Sequence, residues 1–371
     1  MNPPDNFPRI GRRQALASLA ASFTVLSGCP NTMPERVPEG RARPVSNNGS
    51  AQKTLVERVT QTLDREKRQR GLSIGLNGAW QIFHGILAYG DQFEVDTPIG
   101  RRSALTYFAE GGTCDGYRPV RGDVFEPGSM VGIRVDLEPS TKVGQGHRDQ
   151  WLAVVAQAGT KLETPWIVED QPLRIANWMR QAEYDVPLNY QAEFSWTLIP
   201  LSIYRPTDYR WTARDGDVYS TELLVESETL HDLQASVCGG THRLIGVAHA
   251  VRKRRSEGAA MTGLWARAED HLKASIELAR SNQNPDGSYS TAYLHRSGWC
   301  QDLGELLGTT GHVVEFVAFA GDDQDLNSEW VARSVDKLCD VLDQCQAADL
   351  ETGVLYHALH GLAEYRRRVN G

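Results

Sequence analysis

The strongest constraint on the fold of this chain is an internal repeat with an offset of 70 residues. Residues 215–242 of the 371-residue sequence are matched by residues 286–312. Each copy contains Tyr-Ser-Thr, then Asp-Leu, and then a histidine, His242 or His312, that precedes an apolar, Ala-rich stretch. A weaker third copy ends at His147. Because such repeats stack one supersecondary unit on the next, the three histidines are expected to occupy equivalent positions.

Six apolar stretches rich in small residues lack a polar face, which is typical of helices buried on all sides. They are residues 79–89, 147–158, 194–204, 242–251, 312–320 and 354–366. Amphipathic stretches with a period of 3.6 residues alternate with them, for example from Leu264 to Ala279 and from Val331 to Cys345. About six such pairs predict an all-α fold, an (α/α)6 toroid whose inner helices surround a central cavity.

The first 50 residues resemble an export and anchoring segment. Arg12-Arg13 precede an apolar run that ends in Leu26-Ser-Gly-Cys29, which is typical of a lipobox. We interpret residues 1–28 as a twin-arginine-type lipoprotein signal peptide, residues 29–50 as a disordered tether from lipidated Cys29, and residues 51–371 as the toroid domain. An ordinary signal peptide followed by a coincidental cysteine is the alternative. The predicted location is the bacterial cell envelope, with a lipid on Cys29 holding the protein at a membrane.

Charge and cysteine content narrow the range of partners. The chain has a formal net charge of −8, and without residues 1–28 it has 36 basic and 46 acidic residues. This excess argues against nucleic acid as a partner and confines the expected membrane contact to the anchor. Five cysteines follow Cys29, and because an odd number cannot all pair we expect mostly free thiols, with one long-range disulfide as the alternative.

One motif near the end of the chain suggests a family. Residues 283–289 contain Gln-x3-Gly-x-Tyr directly after a helical stretch. This resembles the Gln-Trp repeats of terpenoid cyclases, which have an α/α toroid fold, with Tyr in place of Trp. The chain lacks the Asp-x-Asp-Asp acid motif of squalene–hopene cyclases, and this disfavours terpene cyclisation.

Two further segments resemble protein prenyltransferase β subunits. Residues 310–312 read Thr-Gly-His where that family has Asp-Gly-Cys, and residues 356–362 match its Tyr-His…Gly-Leu segment. The resemblance implies a zinc site in which His312 takes the position of the family's cysteine and His357 that of its histidine. Thr310 replaces the family's aspartate, and Asp302 or Asp232 is a candidate for a ligand or for the partner that orients a histidine.

The candidate site residues follow from the repeat and from these resemblances. Asp302 and His312 are candidate catalytic residues, and His312, His357 and Asp302 are candidate zinc ligands. His147, His242 and Trp299 are candidate ligand-binding residues at the mouth of the cavity. Structural roles are the alternative, since a repeated histidine can hydrogen-bond the next repeat and a repeated aspartate can cap a helix.

Three functional hypotheses stay open at this point. The first is binding of a small molecule or glycan in the central cavity, with a histidine-based zinc site as the expected cofactor. The second is a glycoside hydrolase or polysaccharide lyase that acts on an envelope or environmental glycan through paired carboxylates. The third is a non-catalytic interaction protein, which a closed and packed cavity would indicate.

Overall fold

Helices and short strands alternate along the residues that the computed structural model describes, namely 48–126, 130–189, 192–346 and 348–370. These residues form thirteen α-helices: α1 Asn48–Gln69, α2 Ala79–Tyr89, α3 Ala104–Ala109, α4 Gln150–Gln157, α5 Ile175–Asp185, α6 Ser195–Tyr204, α7 Thr221–Leu230, α8 Thr241–Ser256, α9 Leu264–Asn282, α10 Leu303–Ala320, α11 Asp323–Leu326, α12 Glu329–Gln344 and α13 Thr352–Asn370. Short 3₁₀ segments lie at Gly90–Gln92, Val186–Asn189 and Val237–Gly240.

The predicted signal peptide, Cys29 and the predicted tether up to residue 47 lie outside the described residues. Helix α1 begins at Asn48, within the last three residues of that tether. Among the described helices, none combines the length and the apolar character that a membrane crossing requires. The five cysteines after Cys29 are all free thiols in the structure.

The predicted all-α toroid is wrong as a fold class, because the fold is mixed α/β. Helices account for 57% of the described residues, among which nine strands form four small sheets. The strands are β1 Leu72–Ser73, β2 Glu94–Thr97, β3 Gly100–Ser103, β4 Val120–Glu126, β5 Met130–Arg134, β6 Pro165–Val168, β7 Gln171–Arg174, β8 Arg210–Thr212 and β9 Val218–Ser220. Strand β1 pairs parallel to β2, and the other pairings are antiparallel hairpins.

The hairpins escaped a search for helical periodicity because most of their strands have only three or four residues. Three of them lead directly into a helix: β3 ends at Ser103 before α3, β7 at Arg174 before α5, and β9 at Ser220 before α7. Glu169 and Asp170 join β6 to β7 in a two-residue turn with positive φ at both positions, the geometry that keeps a tight hairpin twisted correctly.

Each of the six stretches predicted as buried helices contains a helix, although α4 begins only at Gln150, after His147, and the six helices contact one another in cyclic order. Helix α2 packs on α4, α4 on α6, α6 on α8, α8 on α10, α10 on α13, and α13 on α2 again. Helices α1, α7, α9 and α12 pack against this ring from outside. Because the chain enters every ring helix at the same end, the first turns of the helices gather at one mouth of the ring and their last turns at the other.

Glycines let neighbouring ring helices approach closely. A Cβ atom on Gly311 of α10 would lie 2.8 Å from the Cβ and 2.9 Å from the Cα of Ala358 on α13. In return, a Cβ on Gly361 of α13 would lie 2.9 Å from the backbone nitrogen of Glu315. These distances are shorter than van der Waals contact, so any larger residue must push α10 and α13 apart.

We expect Gly311→Ala to destabilise the fold by about 1–3 kcal/mol, since the added methyl group meets backbone atoms that cannot move aside. The matched control is Gly304→Ala in the first turn of the same helix, where a Cβ would meet only Asp302 Oδ1, at 3.2 Å. That substitution gains helix propensity and should be neutral or stabilising by up to about 1 kcal/mol. Denaturant unfolding in the presence of a chelator measures both, and equal effects of the two substitutions would contradict the close-packing argument.

Candidate metal centre

A pocket of about 420 Å3 opens at the mouth of the ring where the inner helices begin. Trp80 of α2, Gln150 of α4 and Val354 of α13 line it from the first turns of their helices. Its most distinctive feature is a set of imidazole rings: His147, His242, His312 and His357. His84 lies behind this wall, with its ring centroid 5.1 Å from that of His357. The repeat therefore brings chemically identical side chains to one place.

The fifth component of this site is Cys238, which a strained turn presents to the histidines. Cys238, Gly239 and Gly240 have consecutive positive φ angles of 50°, 62° and 77° directly before α8. Only glycine fits after the cysteine, because a Cβ on Gly239 would lie 2.6 Å from the Cβ of Tyr293. Backbone strain in a non-glycine residue is typical of functional sites, where the surroundings must hold it.

Contacts from both sides of the turn hold Cys238 in place. Thr241 Oγ1 donates a hydrogen bond to the carbonyl oxygen of Cys238 at 2.9 Å. A ring nitrogen of His295 lies 2.9 Å from the carbonyl oxygen of Gly239, so the loop that carries Tyr293 is fastened to the same turn. These two contacts fix the backbone of the turn, and the fixed backbone positions the thiol of Cys238.

Cys238, His242 and His312 form a group that can bind a metal ion. One ligand atom from each, the sulfur and two ring nitrogens, lies within 4.8 Å of the other two. Both ring nitrogens of His242 are buried and lack an aligned hydrogen-bond partner among the described residues. A buried polar atom without a partner requires an explanation, and coordination of a metal supplies one.

The other ring nitrogens of these histidines lie near oxygen atoms. His312 Nδ1 lies 2.8 Å from the carbonyl oxygen of Gly308, one turn earlier in α10. His242 Nδ1 lies 3.4 Å from Glu193 Oε1. This arrangement leaves Nε2 of both rings for a metal ion, and it matches the oxygen–histidine–metal pattern in which an outer partner fixes the ring orientation.

Glu193 connects the metal-ligand group to a second set of side chains. Its Oε1 accepts hydrogen bonds from Nε1 of Trp196 at 2.9 Å and is 2.9 Å from His147 Nδ1. His147, Glu193 and His242 thus form a second group whose ligand atoms lie within 4.8 Å of one another. His147 lines the pocket, whereas Glu193 is 5% exposed and lies behind the histidines that it contacts.

Deeper in the ring, the carboxylate of Glu315 likewise contacts two histidines. It lies one helical turn after His312, and its two carboxylate oxygens contact His357 Nδ1 at 2.9 Å and His360 Nδ1 at 2.7 Å. His357 and His360 are also three residues apart, so both pairs face each other across the α10–α13 contact. The ring of His357 stacks at a tilt against His312, with a centroid separation of 4.3 Å.

The electrostatics of the site favour a thiolate. Burial opposes ionisation of Cys238, but the adjacent imidazoles of His312 and His242 overcome it and lower the pKa of the thiol well below its usual range. Burial also opposes the charge on His242, whose pKa Cys238 and Glu193 raise well above its usual range. His357 differs, because burial dominates and lowers its pKa to about 4 in spite of Glu315. Cys238 is therefore held in the ionised form that binds metals and attacks electrophiles.

Similarity to known proteins does not assign this site. No protein-family model, curated protein or solved structure matches this chain. The relationship to terpenoid cyclases and prenyltransferase β subunits stays a prediction from the motifs, and the function has to be argued from the side chains in the pocket.

The structure places the remaining candidate residues at the edge of the site. Asp302 lines the pocket, but its side chain caps α10 by accepting a hydrogen bond from the backbone N–H of Glu305 at 2.9 Å, and it belongs to neither group of candidate ligands. Trp299 is 71% exposed and is not among the residues that line the pocket. His312 and His357 lie together, whereas the ligand group joins His312 to His242 and Cys238.

Sequence reasoning missed Cys238 as a site residue, and it also missed Glu193 and Glu315. Cys238 had two indications in the sequence: it precedes His242 by four residues, and a Gly-Gly pair follows it. Glu315 could have been found from its spacing of three residues after His312 on a helix. Glu193 offers no such pattern, because its contact with His147 and His242 joins segments about 50 residues apart.

Proposed function

We propose that the protein binds one zinc ion through Cys238, His242 and His312 and uses it in a hydrolytic reaction on a small polar molecule. The observation that carries this proposal is the meeting of one thiolate and two imidazoles, all within 4.8 Å, at the wall of an accessible pocket. Three protein ligands with one open position are typical of catalytic zinc, whereas structural sites use four. Mixed sulfur and nitrogen ligands favour zinc over the hard cations magnesium and calcium.

The pocket suits a small substrate. Its volume of about 420 Å3 lies within the usual range of small-molecule sites. Trp80 and Tyr293 supply aromatic surface, and Lys142 supplies a positive charge at the wall. A zinc ion with an open position would activate a water molecule by lowering its pKa.

His147 is the side chain best placed to accept a proton from that water. It lines the pocket, and its Nδ1 is held by Glu193 at 2.9 Å, so its other ring nitrogen can face the substrate. A carboxylate that orients an imidazole in this way fixes its tautomer and stabilises the imidazolium that forms on proton transfer. Glu193 is in this proposal a positioning residue for both His147 and His242.

The carboxylates at the pocket wall favour this mechanism over a glycosidase pair. Asp302 caps α10, and Glu351 accepts hydrogen bonds from Trp80 Nε1 at 3.1 Å and from the backbone N–H of Val354 at 2.9 Å. Glu305 also lines the pocket, but a glycosidase requires a pair of carboxylates, and Asp302 and Glu351 are both engaged in capping contacts. A glycan therefore remains a candidate substrate only through the zinc-dependent route.

The proposal includes export of the protein and its attachment to a membrane by a lipid on Cys29.

A second candidate function uses Cys238 as a nucleophile without a metal. The lowered pKa of the thiol and its position before a helix are both typical of catalytic cysteines. His312 or His242 would then accept and return the proton. The two functions make opposite predictions for the reactivity of the thiol in the protein as purified.

Elemental analysis of the full-length, untagged protein tests the proposal. We expect one zinc per chain, its removal by a chelator, and its return when zinc is added back. Iodoacetamide should modify Cys238 slowly in the zinc-loaded protein and quickly after chelation, because a coordinated thiolate is a poor nucleophile. Absence of zinc and other transition metals, before and after reconstitution, with fast alkylation throughout, would overturn the zinc proposal in favour of the nucleophile.

A panel of nitrophenyl esters, phosphates and glycosides identifies the reaction class. Turnover of any of these substrates should require loaded zinc and should fall in a His147→Ala variant that still holds the metal. Equal turnover by zinc-loaded and zinc-free protein would contradict the role assigned to the ion. The His147→Ala variant separates the proton-acceptor role from metal binding, which metal analysis of the same sample checks.

A further inference from the structure

The opposite mouth of the helix ring contains a second and larger cavity. Its volume is about 910 Å3, and it lies where the six inner helices end. Leu87, Ala156, Ile203 and Phe319 contribute apolar surface from the last turns of α2, α4, α6 and α10. The cavity contains none of the candidate zinc ligands, so it is a separate site on the same ring.

Cationic side chains dominate the polar part of this cavity. Arg252 and Lys253 of α8 and Arg366 and Arg367 of α13 line it, and among the described residues that line it Glu364 is the one with a side-chain carboxylate. The chain has a net charge of −8, so four cationic side chains around one cavity are a local excess of positive charge. A basic, low-dielectric recess raises the local concentration of anions.

Internal ion pairing leaves part of this charge unneutralised. Glu364 is shared, because its Oε1 contacts Arg252 at 3.1 Å and Arg367 at 2.5 Å. Lys253 has only a long contact of 3.7 Å to Glu257, and no carboxylate of the described residues pairs with Arg366. Attraction to the C-terminal ends of the helices accounts for some basic residues there. It does not account for a cavity of this size between them.

One buried polar atom points independently to a ligand. His249 lines the cavity with its ring tilted against Phe319 at a centroid distance of 4.7 Å, and its Nε2 is buried without a hydrogen-bond partner among the described residues. Burial and the nearby charge of Arg252 lower the pKa of His249 to about 3, so the ring is neutral and can offer one hydrogen bond. An apolar wall, a cationic rim and one unsatisfied ring nitrogen are complementary to a molecule with an apolar body and an anionic head.

We propose that this second cavity binds an amphipathic organic anion, with a carboxylate or phosphate head near Lys253 and Arg366 and an apolar body against Leu87, Ile203 and Phe319. The two head groups share the chemistry that the rim recognises, and the experiment separates them. The proposal does not depend on zinc, because no residue of the zinc group takes part.

A pair of matched fluorescent probes tests this proposal on the full-length protein. Anilinonaphthalene sulfonate carries an anionic head on an apolar body, and N-phenylnaphthylamine has nearly the same body without the charge. We expect the sulfonate to bind at one site per chain and more tightly than the neutral probe. Decanoate and decyl phosphate are then used as competitors, and the stronger of the two identifies the preferred head group.

Variants that remove positive charge inside and outside the cavity locate the site. The double variant Lys253→Gln with Arg366→Gln should weaken sulfonate binding about tenfold or more, since charge-assisted contacts to the head are lost. Arg255→Gln is the control: Arg255 lies on the same helix, pairs with Glu269 and does not line the cavity. The affinity of the Arg255→Gln variant for the sulfonate should change less than about twofold. His249→Phe provides a second variant that preserves the stacking and removes the ring nitrogen.

Three results would overturn the proposal. They are equal affinity for the charged and neutral probes, unchanged binding in the double variant, and failure of both decanoate and decyl phosphate to displace the probe. Cys238→Ser should bind the sulfonate as the wild type does, so loss of the zinc function and loss of the anion site are measured separately. Circular dichroism of each variant checks that the fold is intact.

Discussion

Cys238→Ser is expected to abolish stoichiometric zinc binding. A serine hydroxyl is a poor ligand for zinc, and removal of one of three protein ligands should reduce the affinity by a factor on the order of 10²–10³. His312→Ala should have an equally large effect, because it removes a nitrogen ligand and leaves only two strong donors. Competition with a chromophoric chelator measures the dissociation constants, and elemental analysis gives the stoichiometry.

Controls of the same residue type make this result specific. Cys300→Ser removes a partly buried thiol that lies outside the ligand group, and His249→Ala removes a partly buried imidazole at the other mouth of the ring. Both should bind zinc as the wild type does. Glu193→Gln should give an intermediate loss of about 10–100-fold, the usual effect of removing an outer partner of a metal ligand. Wild-type affinity in Cys238→Ser would show that the thiol is not a ligand.

The repeat in the sequence explains why part of this site could be predicted. A histidine that recurs with its unit must recur at a similar position in the ring, and the structure brings His147, His242 and His312 into one chain of contacts. Their ring centroids are 5.6 Å apart from His147 to His242 and 5.4 Å apart from His242 to His312. The six buried helices were also predictable, because an apolar stretch without a polar face has to be covered by other elements.

The same repeat conceals the residue that completes the ligand group. In the later copy, helix α10 already begins at Leu303, nine residues before His312. In the earlier copy, α8 begins only at Thr241, and the preceding residues form the left-handed turn that presents Cys238. Matching sequences predict matching structure, so the difference, which Gly239 and Gly240 permit, could not be deduced from the alignment of the two copies.

Short strands and long-range contacts account for the other failures. A hairpin such as β8–β9 has three residues in each strand, too few for a period of two to stand out from chance. Asp302 directly precedes α10, and this position explains why it caps the helix and does not join the candidate zinc ligands. Glu193 lies in the loop before α6, and no pattern in the sequence predicts that this loop brings it to the histidines.

That loop is held by a buried ion pair, which links the stability of the fold to the geometry of the site. Arg243 Nη1 on α8 contacts both carboxylate oxygens of Glu228 on α7, at 2.8 and 2.9 Å. Its Nη2 donates to the carbonyl oxygen of Ala192 at 3.3 Å, and its Nε donates to Ser236 Oγ at 2.9 Å. Arg243 therefore ties the segment before Glu193 and the segment before Cys238 to the helix that carries His242.

Glu228 completes this network from the other side. One of its oxygens accepts a hydrogen bond from the backbone N–H of Phe194 at 2.7 Å, next to Glu193. Burial raises the pKa of Glu228 to about 7, although Arg243 and this N–H act in the opposite direction. The side chain of Glu228 is fully buried and that of Arg243 is 10% exposed. The pair therefore depends on mutual neutralisation, since water cannot solvate either group.

Glu228→Ala should destabilise the fold by about 3–5 kcal/mol at pH 8, because it leaves the charge of Arg243 buried without a counter-charge. It should also loosen the loop that carries Glu193 and so weaken zinc binding. Glu226→Ala on the same helix is the control: its pair with Arg267 is 3.5 Å long and about half exposed, and its loss should cost less than about 1 kcal/mol. Denaturant unfolding under chelation measures both variants.

The double variant Glu228→Leu with Arg243→Met should recover part of the lost stability without recovering zinc affinity, because burial of a charge causes the first defect and loss of the loop anchor causes the second. Equal stability of Glu228→Ala and Glu226→Ala would show that the network does not support the fold, and wild-type zinc affinity in Glu228→Ala would show that it does not support the site.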